Sequence, residues 1–482
     1  MTYNNLTLLT DFYELTMMQG YFFAMPKDRR VVFDLFYRAN PDGNGFSIAA
    51  GLEQAIDYVR GLSFCEEDLS YLRKLGAFRE EFLDYLKTFR FTGDIWAVPE
   101  GTVVFPREPL VRVTANLIEA QFVETALLNI INHQSLIATK AARVCVAARG
   151  DAVLEFGLRR AQGPDAGIYG ARAAIIGGCG ATSNVLAGQM FGVPVRGTHA
   201  HSWVMSFPDE LTAFREYGAL YPDNCTLLVD TYDTLRSGVP NAVKVFSEMR
   251  ERGIKPKSYG IRLDSGDLAY LSIEARQMLD DAGFTDAIIS ASSDLDEYLI
   301  RDLKLQGCKI SLWGVGTNLI TSKDCPAFGG VYKLAAEEDE HGEFIPKIKL
   351  SENIEKITNP GVKKILRFHD AKTGKIKADL IALSHEEFDP NNDLTIFDPL
   401  ATWKHMTLKA GTYTVTELLV PIFVNGECVY ESPSVHEIKD YAAAQLGTLW
   451  DEHKRLTNPQ ILPVDLSQEL WDLKQKMISE IR

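Results

Sequence analysis

No run in this 482-residue chain is long and apolar enough to read as a membrane span. The longest apolar helix candidate, about Leu117 to Ala148, is interrupted by Glu124, Asn129, Asn132, His133, Gln134 and Lys140, which marks a core helix. Met1 to Thr10 is polar and lacks the charged start and apolar stretch of a secretory signal, so a cytoplasmic location is expected. Positive charge is short too: 50 Lys and Arg against 65 Asp and Glu leave a net −15, and no cluster forms a basic stripe. A nucleic-acid partner is therefore not expected, and an anionic substrate would need a local cationic pocket. The seven cysteines are scattered and odd in number, without zinc-ligand spacing, as in a reduced cytosolic enzyme. No histidine lies between His201 and His341, which leaves a His-rich zinc centre without ligands at later strand ends. No Gly-x-Gly-x-x-Gly followed by a distant acidic residue succeeds an early strand, so a dinucleotide Rossmann domain is disfavoured.

What is present is a length that calls for two or three domains, with 46% hydrophobic and 24% charged residues. The periodicity predicts mixed strands and helices up to about residue 116, including strands over Arg30–Tyr37 and Leu110–Thr114. From about 150 to 330 short β-rich runs alternate with helical stretches. The strands are Ala152–Phe156, Val193–Gly197, Cys225–Val229, Ser258–Leu263, Ala287–Ala291 and Lys309–Trp313. Such alternation signals parallel βα units, hence a barrel or a doubly wound sheet. After about 330 the pattern turns β-rich, with a hairpin over Lys364–Leu383 and a strand over Tyr413–Val424. The polar run Glu386 to Asn392 reads as a linker, and two terminal helices close the chain.

Each central strand ends in a polar cluster that packing does not require: Glu155-Phe-Gly-Leu-Arg159-Arg160, Gly197-Thr-His-Ala-His201-Ser202, Asp230-Thr-Tyr-Asp233, Arg262-Leu-Asp264-Ser-Gly-Asp267, Ser292-Ser-Asp294 and Gly314-Val-Gly316-Thr317-Asn318. In a βα barrel these turns share the C-terminal face, where active sites sit. His199 and His201 at alternate positions past a strand end suit either a metal ligand pair or a single reactive imidazole. Arg159, Arg160 and Arg262 suit carboxylate or phosphate groups. Asp230, Asp264 and Asp294 could hold Mg²⁺ or bind sugar hydroxyls, while Asp267 and Asp294, each just before a helix, read equally well as N-caps. Gly314-x-Gly316-Thr317 exposes backbone N–H groups suited to phosphate. Together these suggest a phosphorylated sugar with bound Mg²⁺.

The motifs resemble those of nicotinate phosphoribosyltransferases along nearly the whole chain. They run from Leu8-Leu-Thr-Asp11-Phe-Tyr13-Glu-Leu-Thr-Met-Met-Gln19 and Glu155-Phe-Gly-Leu-Arg-Arg-Ala-Gln162, through Gly197-Thr-x-Ala-His201-Ser and Leu228-Val-Asp-Thr-Tyr-Asp233, to Arg262-Leu-Asp-Ser-Gly-Asp267 and Trp313-Gly-Val-Gly-Thr317. The resemblance implies an α/β fold: an irregular βα (TIM-like) barrel with an α/β sandwich domain built from N- and C-terminal segments. The expected boundaries are 1–116 for the first sandwich part, 117–335 for the barrel and 336–482 for the β-rich and helical remainder. It also implies formation of nicotinate mononucleotide from nicotinate and 5-phosphoribosyl 1-pyrophosphate in NAD salvage. ATP would be co-substrate through a phosphorylated His201, Mg²⁺ the cofactor, and a homodimer with shared active sites the working form.

Carried over by position, His201, Asp264 and Arg262 would be catalytic. Tyr13 would come from the partner subunit and stack on the pyridine ring opposite Phe156. Arg159, Thr198, Asp230 and Ser293 would bind substrate, Gly314, Gly316 and Thr317 would hold the 5′-phosphate, and Asp230 and Asp264 would take Mg²⁺. The alternatives are a nicotinamide or quinolinate enzyme of the same fold, a metal-dependent barrel hydrolase on His199 and His201, or a non-catalytic metabolite-binding protein. Nicotinamide-using relatives carry an acidic residue in the segment matching Gly180-Ala-Thr-Ser-Asn184; here it has none, which favours the anionic nicotinate. Lys347, Lys349, Lys356, Lys363 and Lys364 cluster, and a solvated face is expected for them over ATP contact.

Overall fold

The structure, a computed structural model, describes residues 5–26, 29–353 and 356–481. It divides into two compact units, one of residues 137–326 and one of residues 1–136 with 327–482.

The 137–326 unit is built on six parallel strands in the spatial order Ala181–Thr182, Ala152–Glu155, Leu312–Val315, Ile288–Ala291, Ser258–Leu263 and Asn224–Leu228. The first strand in sequence pairs with the last, Val153 opposite Trp313, so the sheet curls back on itself. Beyond Thr182 a single parallel bridge to Val195 continues the order. Among the described residues, no pairing spans the seam between Val195 and the Asn224–Leu228 strand. Leu227, Leu228, Val229, Ile261, Leu263, Trp313 and Val315 are all fully buried. Such unbroken apolar runs are what parallel strands covered on both faces require, and each such side chain contributes roughly 1.5–3 kcal/mol.

The surrounding helices start where the sequence supplies a stop. Asp209, Asp267 and Asp296 cap Glu210–Leu220, Leu268–Asp281 and Glu297–Leu305, each accepting first-turn N–H groups. Pro164 opens Pro164–Ile176. Asp267 is thus a cap, whereas the helix after Asp294 is capped by Asp296 and Asp294 lines the cleft described below.

The other unit holds two large sheets and a two-stranded one that pairs Ser47–Ile48 with Val103–Val104. Its seven-stranded antiparallel sheet interleaves the chain ends: Arg30–Tyr37 lies between Gly330–Glu338 and Val111–Asn116, and Val420–Val424 pairs with Asp94–Ala97. Phe33 and Tyr332 stack across that pairing at 4.7 Å. The second sheet, of six strands, centres on Lys363–Asp370 and Ile376–Leu383, with a fully buried Arg367–Asp379 ion pair at 2.6 Å across them.

Three sequence expectations need correction. Val193–Gly197 forms no full strand, only the Val195 bridge, because Pro194 and Gly197 interrupt the ladder. Tyr413–Val424 is two strands in different sheets, Tyr413–Glu417 and Val420–Val424, broken at the buried Leu418 and Leu419. Lys363 is not on a solvated face: it is buried against Asp34 at 2.7 Å. Among the described residues no helix is long and apolar enough to cross a membrane.

Candidate active site

The turns after the parallel strands surround a cleft of about 650 Å³. Phe156, Arg159, Thr198, His201, Arg262, Asp264, Ser293, Gly314, Gly316 and Thr317 all line it, as expected from their common place after successive strands. Asp230 stands behind this lining, tied to it by hydrogen bonds. Tyr13 belongs to the other unit, exposed on the Phe12–Ala24 helix, and is not part of the lining.

Arg262 is the organising cation. Its Nε donates to Ser292 Oγ at 2.8 Å, and its guanidinium donates to Thr198 Oγ1 at 2.7 Å and to Asp264 Oδ1 at 3.3 Å. Ser292 Oγ also donates to Asp264 Oδ1. Asp264 Oδ2 then faces His201 Nε2 at 3.7 Å, while His201 Nδ1 meets Thr231 Oγ1 at 3.1 Å. Both ring nitrogens of His201 are therefore oriented by partners, yet its side chain stays 40% exposed and open to a reactant.

Asp230 Oδ2 accepts from the Asp264 N–H and the Ser265 hydroxyl, both at 2.8 Å. Its Oδ1 is buried without a hydrogen-bond partner among the described residues. An orphaned anionic oxygen of this kind fits a cation. Among the described residues no three His, Cys, Asp or Glu side chains form a complete metal cage. Mg²⁺, which is commonly bound by one or two carboxylates plus phosphate oxygens, fits this donor set.

His199 does different work from His201. Its Nε2 accepts the Leu228 N–H at 3.2 Å and its Nδ1 faces the Ala200 carbonyl at 3.4 Å. Burial, with the positive Arg262 nearby, holds its pKa down to about 4, so the ring is neutral. Since both nitrogens are engaged inside the protein, the two histidines do not form a ligand pair.

The aromatic wall is fixed by glycine. A Cβ on Gly314 would lie 2.6 Å from the Phe156 ring, so the ring rests directly on the backbone there. Phe156 N–H donates to the Val315 carbonyl at 2.8 Å. Beneath it the fully buried Glu155 accepts from Thr182 Oγ1 at 2.6 Å and from the Gly157 N–H; burial raises its pKa. The guanidinium groups of Arg159 and Arg160 have no hydrogen-bond or ion-pair partner among the described residues, which leaves them free for an anion. Ser293 holds φ at 119°, a backbone strain placed at the cleft wall. Gly316 precedes the one-turn helix Thr317–Ile320, whose first N–H groups lack intrahelical acceptors.

Sequence reasoning did not single out Ser292 and Thr231. Both lie inside the polar clusters, but only the fold shows that Ser292 joins Arg262 to Asp264 and that Thr231 orients His201.

Comparison with known proteins agrees with this geometry. Residues 8–132 match the nicotinate phosphoribosyltransferase N-terminal domain family and residues 362–474 its C-terminal domain family. The chain is 47% identical over 479 residues to the nicotinate phosphoribosyltransferase of Bacillus subtilis (strain 168), covering 99% of this chain and 96% of that one. It is 33% identical to the enzyme of that name from Mus musculus, over 96% of this chain and 95% of the other. The crystal structure of human nicotinic acid phosphoribosyltransferase superposes with a TM-score of 0.83 at 30% identity, covering 98% of this chain and 100% of that one. The chain belongs to the nicotinate phosphoribosyltransferase family.

Proposed function

We propose that this protein transfers the phosphoribosyl group of 5-phosphoribosyl 1-pyrophosphate to nicotinate, with ATP as co-substrate, as the entry of nicotinate into NAD synthesis. The observation that carries the reading is the chain of contacts from Thr198 and Ser292 through Arg262 and Asp264 to His201, at one end of a cleft with an aromatic wall and free arginines.

In the transfer, the pyridine nitrogen forms a bond to the ribose anomeric carbon as the bond to pyrophosphate breaks, and pyrophosphate leaves with the electron pair. The ring nitrogen already has a lone pair, so it needs positioning more than deprotonation. Phe156 supplies the stacking face, with Tyr13 of the partner subunit on the opposite face in a homodimer, and Arg159 takes the carboxylate. The N–H groups of Gly314, Gly316 and Thr317 take the 5′-phosphate, while Thr198 and Ser293 line its surroundings. Asp230 and Asp264 would hold Mg²⁺, which neutralises charge developing on the pyrophosphate.

ATP enters through His201. With Nδ1–H donating to Thr231, Nε2 presents its lone pair to the γ-phosphorus; the N–P bond forms and ADP departs. The phosphoryl group adds about two negative charges beside Asp264 and Arg262. Hydrolysis back to the free imidazole would drive product formation, provided the two states bind substrate and product differently. Ser183 lines the cleft, and no carboxylate of the 180–184 segment does, because that segment has none. This supports nicotinate over nicotinamide.

The test follows mononucleotide and ADP together from nicotinate, phosphoribosyl pyrophosphate and Mg²⁺, with and without ATP. Mononucleotide with ATP-stimulated turnover is expected, and His201→Asn should abolish ADP formation. No mononucleotide under either condition, from protein that binds its substrates, would overturn the reading.

A further inference from the structure

A second cavity, of about 100 Å³, lies wholly within the unit of chain ends and apart from the cleft. The Gln468–Ile481 helix supplies one wall with Trp471, Lys474 and Ile478, residues spaced to share one helical face. Asp34 from the Arg30–Tyr37 strand and Lys363 from the Lys363–Asp370 strand face them, and Arg107 enters from a loop with φ at 77°.

The charges around this space do not balance. Lys363 Nζ is satisfied by Asp34 Oδ2 at 2.7 Å and the Gly361 carbonyl at 2.6 Å, which makes a neutral pair. Lys474 Nζ donates to the amide oxygen of Asn359 at 2.8 Å, using one of its three hydrogens on a neutral partner. Arg107 donates its backbone N–H to Tyr37, but its guanidinium has no partner among the described residues. Among the described residues, no carboxylate besides Asp34 lines the cavity. Burial, with Arg107 and Lys363 pushing the same way, brings the Lys474 ammonium down to about 8, as expected of a cation lacking a counter-charge.

We propose that this cavity is a binding site for a short-chain monocarboxylate, its carboxylate held by Lys474 and Arg107 and its hydrocarbon part set against Trp471 and Ile478. The space is small, about 100 Å³ against the roughly 150 Å³ of a cavity that takes a benzene ring, which favours acids of fewer heavy atoms than benzene over a pyridine carboxylate. The chemistry of the walls sets the class. A fully hydrated inorganic dianion would leave the Trp471, Ile478 and Leu466 surfaces unmatched, whereas a two- or three-carbon acid meets both the cations and the apolar side. The site is independent of the cleft, so the proposal stands or falls apart from the reading of the reaction.

The experiment is isothermal titration of the full-length protein with acetate and propionate, with inorganic phosphate and nicotinate as comparisons. Saturable binding of the short acids is expected, at least tenfold weaker in Lys474→Met and Arg107→Met and unchanged in the cleft variant Arg159→Ala. Ile478→Phe, which fills the cavity without altering charge, should also abolish it, and serves if the charge variants fail to fold. No saturable binding, equal affinity in wild type and cavity variants, or loss in Arg159→Ala would each overturn the proposal. Tighter binding of phosphate than of propionate would overturn the assigned ligand class.

Discussion

His199 Nε2 accepts the backbone N–H of Leu228 at 3.2 Å, joining by a side chain the one seam of the barrel that strand pairing leaves open among the described residues. The contact anchors the turn that carries Thr198 and His201, two residues further toward the cleft. A position that reads in sequence as a possible metal ligand is instead a backbone substitute.

Replacing that acceptor should therefore loosen the barrel. His199→Leu leaves the Leu228 N–H buried and unpaired, a cost of about 1–3 kcal/mol. Urea unfolding of wild type and variant measures it; equal midpoints and slopes would remove the seam role.

The same residue gives a pH signature. His199 has a native pKa near 4, below the 6.5 of a free imidazole. Its contribution is fully present above pH 6.5 and is lost as pH falls from there toward 4, because the unfolded state takes up the proton first. The full span is worth roughly 2–3 kcal/mol. Stability curves of wild type and His199→Leu should converge across that window, and a constant gap between them would contradict the assignment.

Glu14 behaves in the opposite sense. It is fully buried, accepts from Gln121 at 2.8 Å, and is raised to about 7, chiefly by burial. Its neutral form suits the fold, so its contribution is present below pH 4.5 and lost as pH rises through 7. Glu14→Gln should gain roughly 2 kcal/mol on wild type between pH 5 and pH 8. Thermal unfolding at the two pH values decides it.

Gly314→Ala forces a methyl group against the Phe156 ring, 2.6 Å away at its nearest atom. The ring must shift, at a stability cost of about 1–3 kcal/mol. If Phe156 is the stacking face, KM for nicotinate rises about tenfold, the effect of roughly 1.4 kcal/mol of lost binding. An unchanged KM would take Phe156 out of the substrate site.

Thr231→Val removes the partner of His201 Nδ1 while keeping the shape of the side chain. ADP formation should fall about tenfold, as when a group orienting a reactive imidazole is lost, with KM for nicotinate little changed. Unaltered ADP release would show that Thr231 does not orient the imidazole.

Much of this was legible in the sequence. The alternation of apolar runs and helical stretches gave the parallel unit, and the polar clusters after each run gave most of the cleft: Arg159, Thr198, His201, Arg262, Asp264 and Gly314 line one space. The distinction between Asp267 and Asp294 was not legible. Both precede helices in sequence, but Asp267 bonds to the Ala269 and Tyr270 N–H groups while Asp294 faces the cleft.

What the sequence determined by itself is what local chemistry enforces. Apolar periodicity selects strand or helix, Asp and Pro start helices, and reactive side chains cluster where strands end. What only tertiary structure decided is which partners those side chains meet. Lys363 became half of a buried pair and His199 a seam acceptor. The break at Leu418 and Leu419 sent one expected strand into two sheets. Each outcome depends on satisfying a buried polar group or packing a face with residues far away in the chain, and local pattern carries no record of those distant partners.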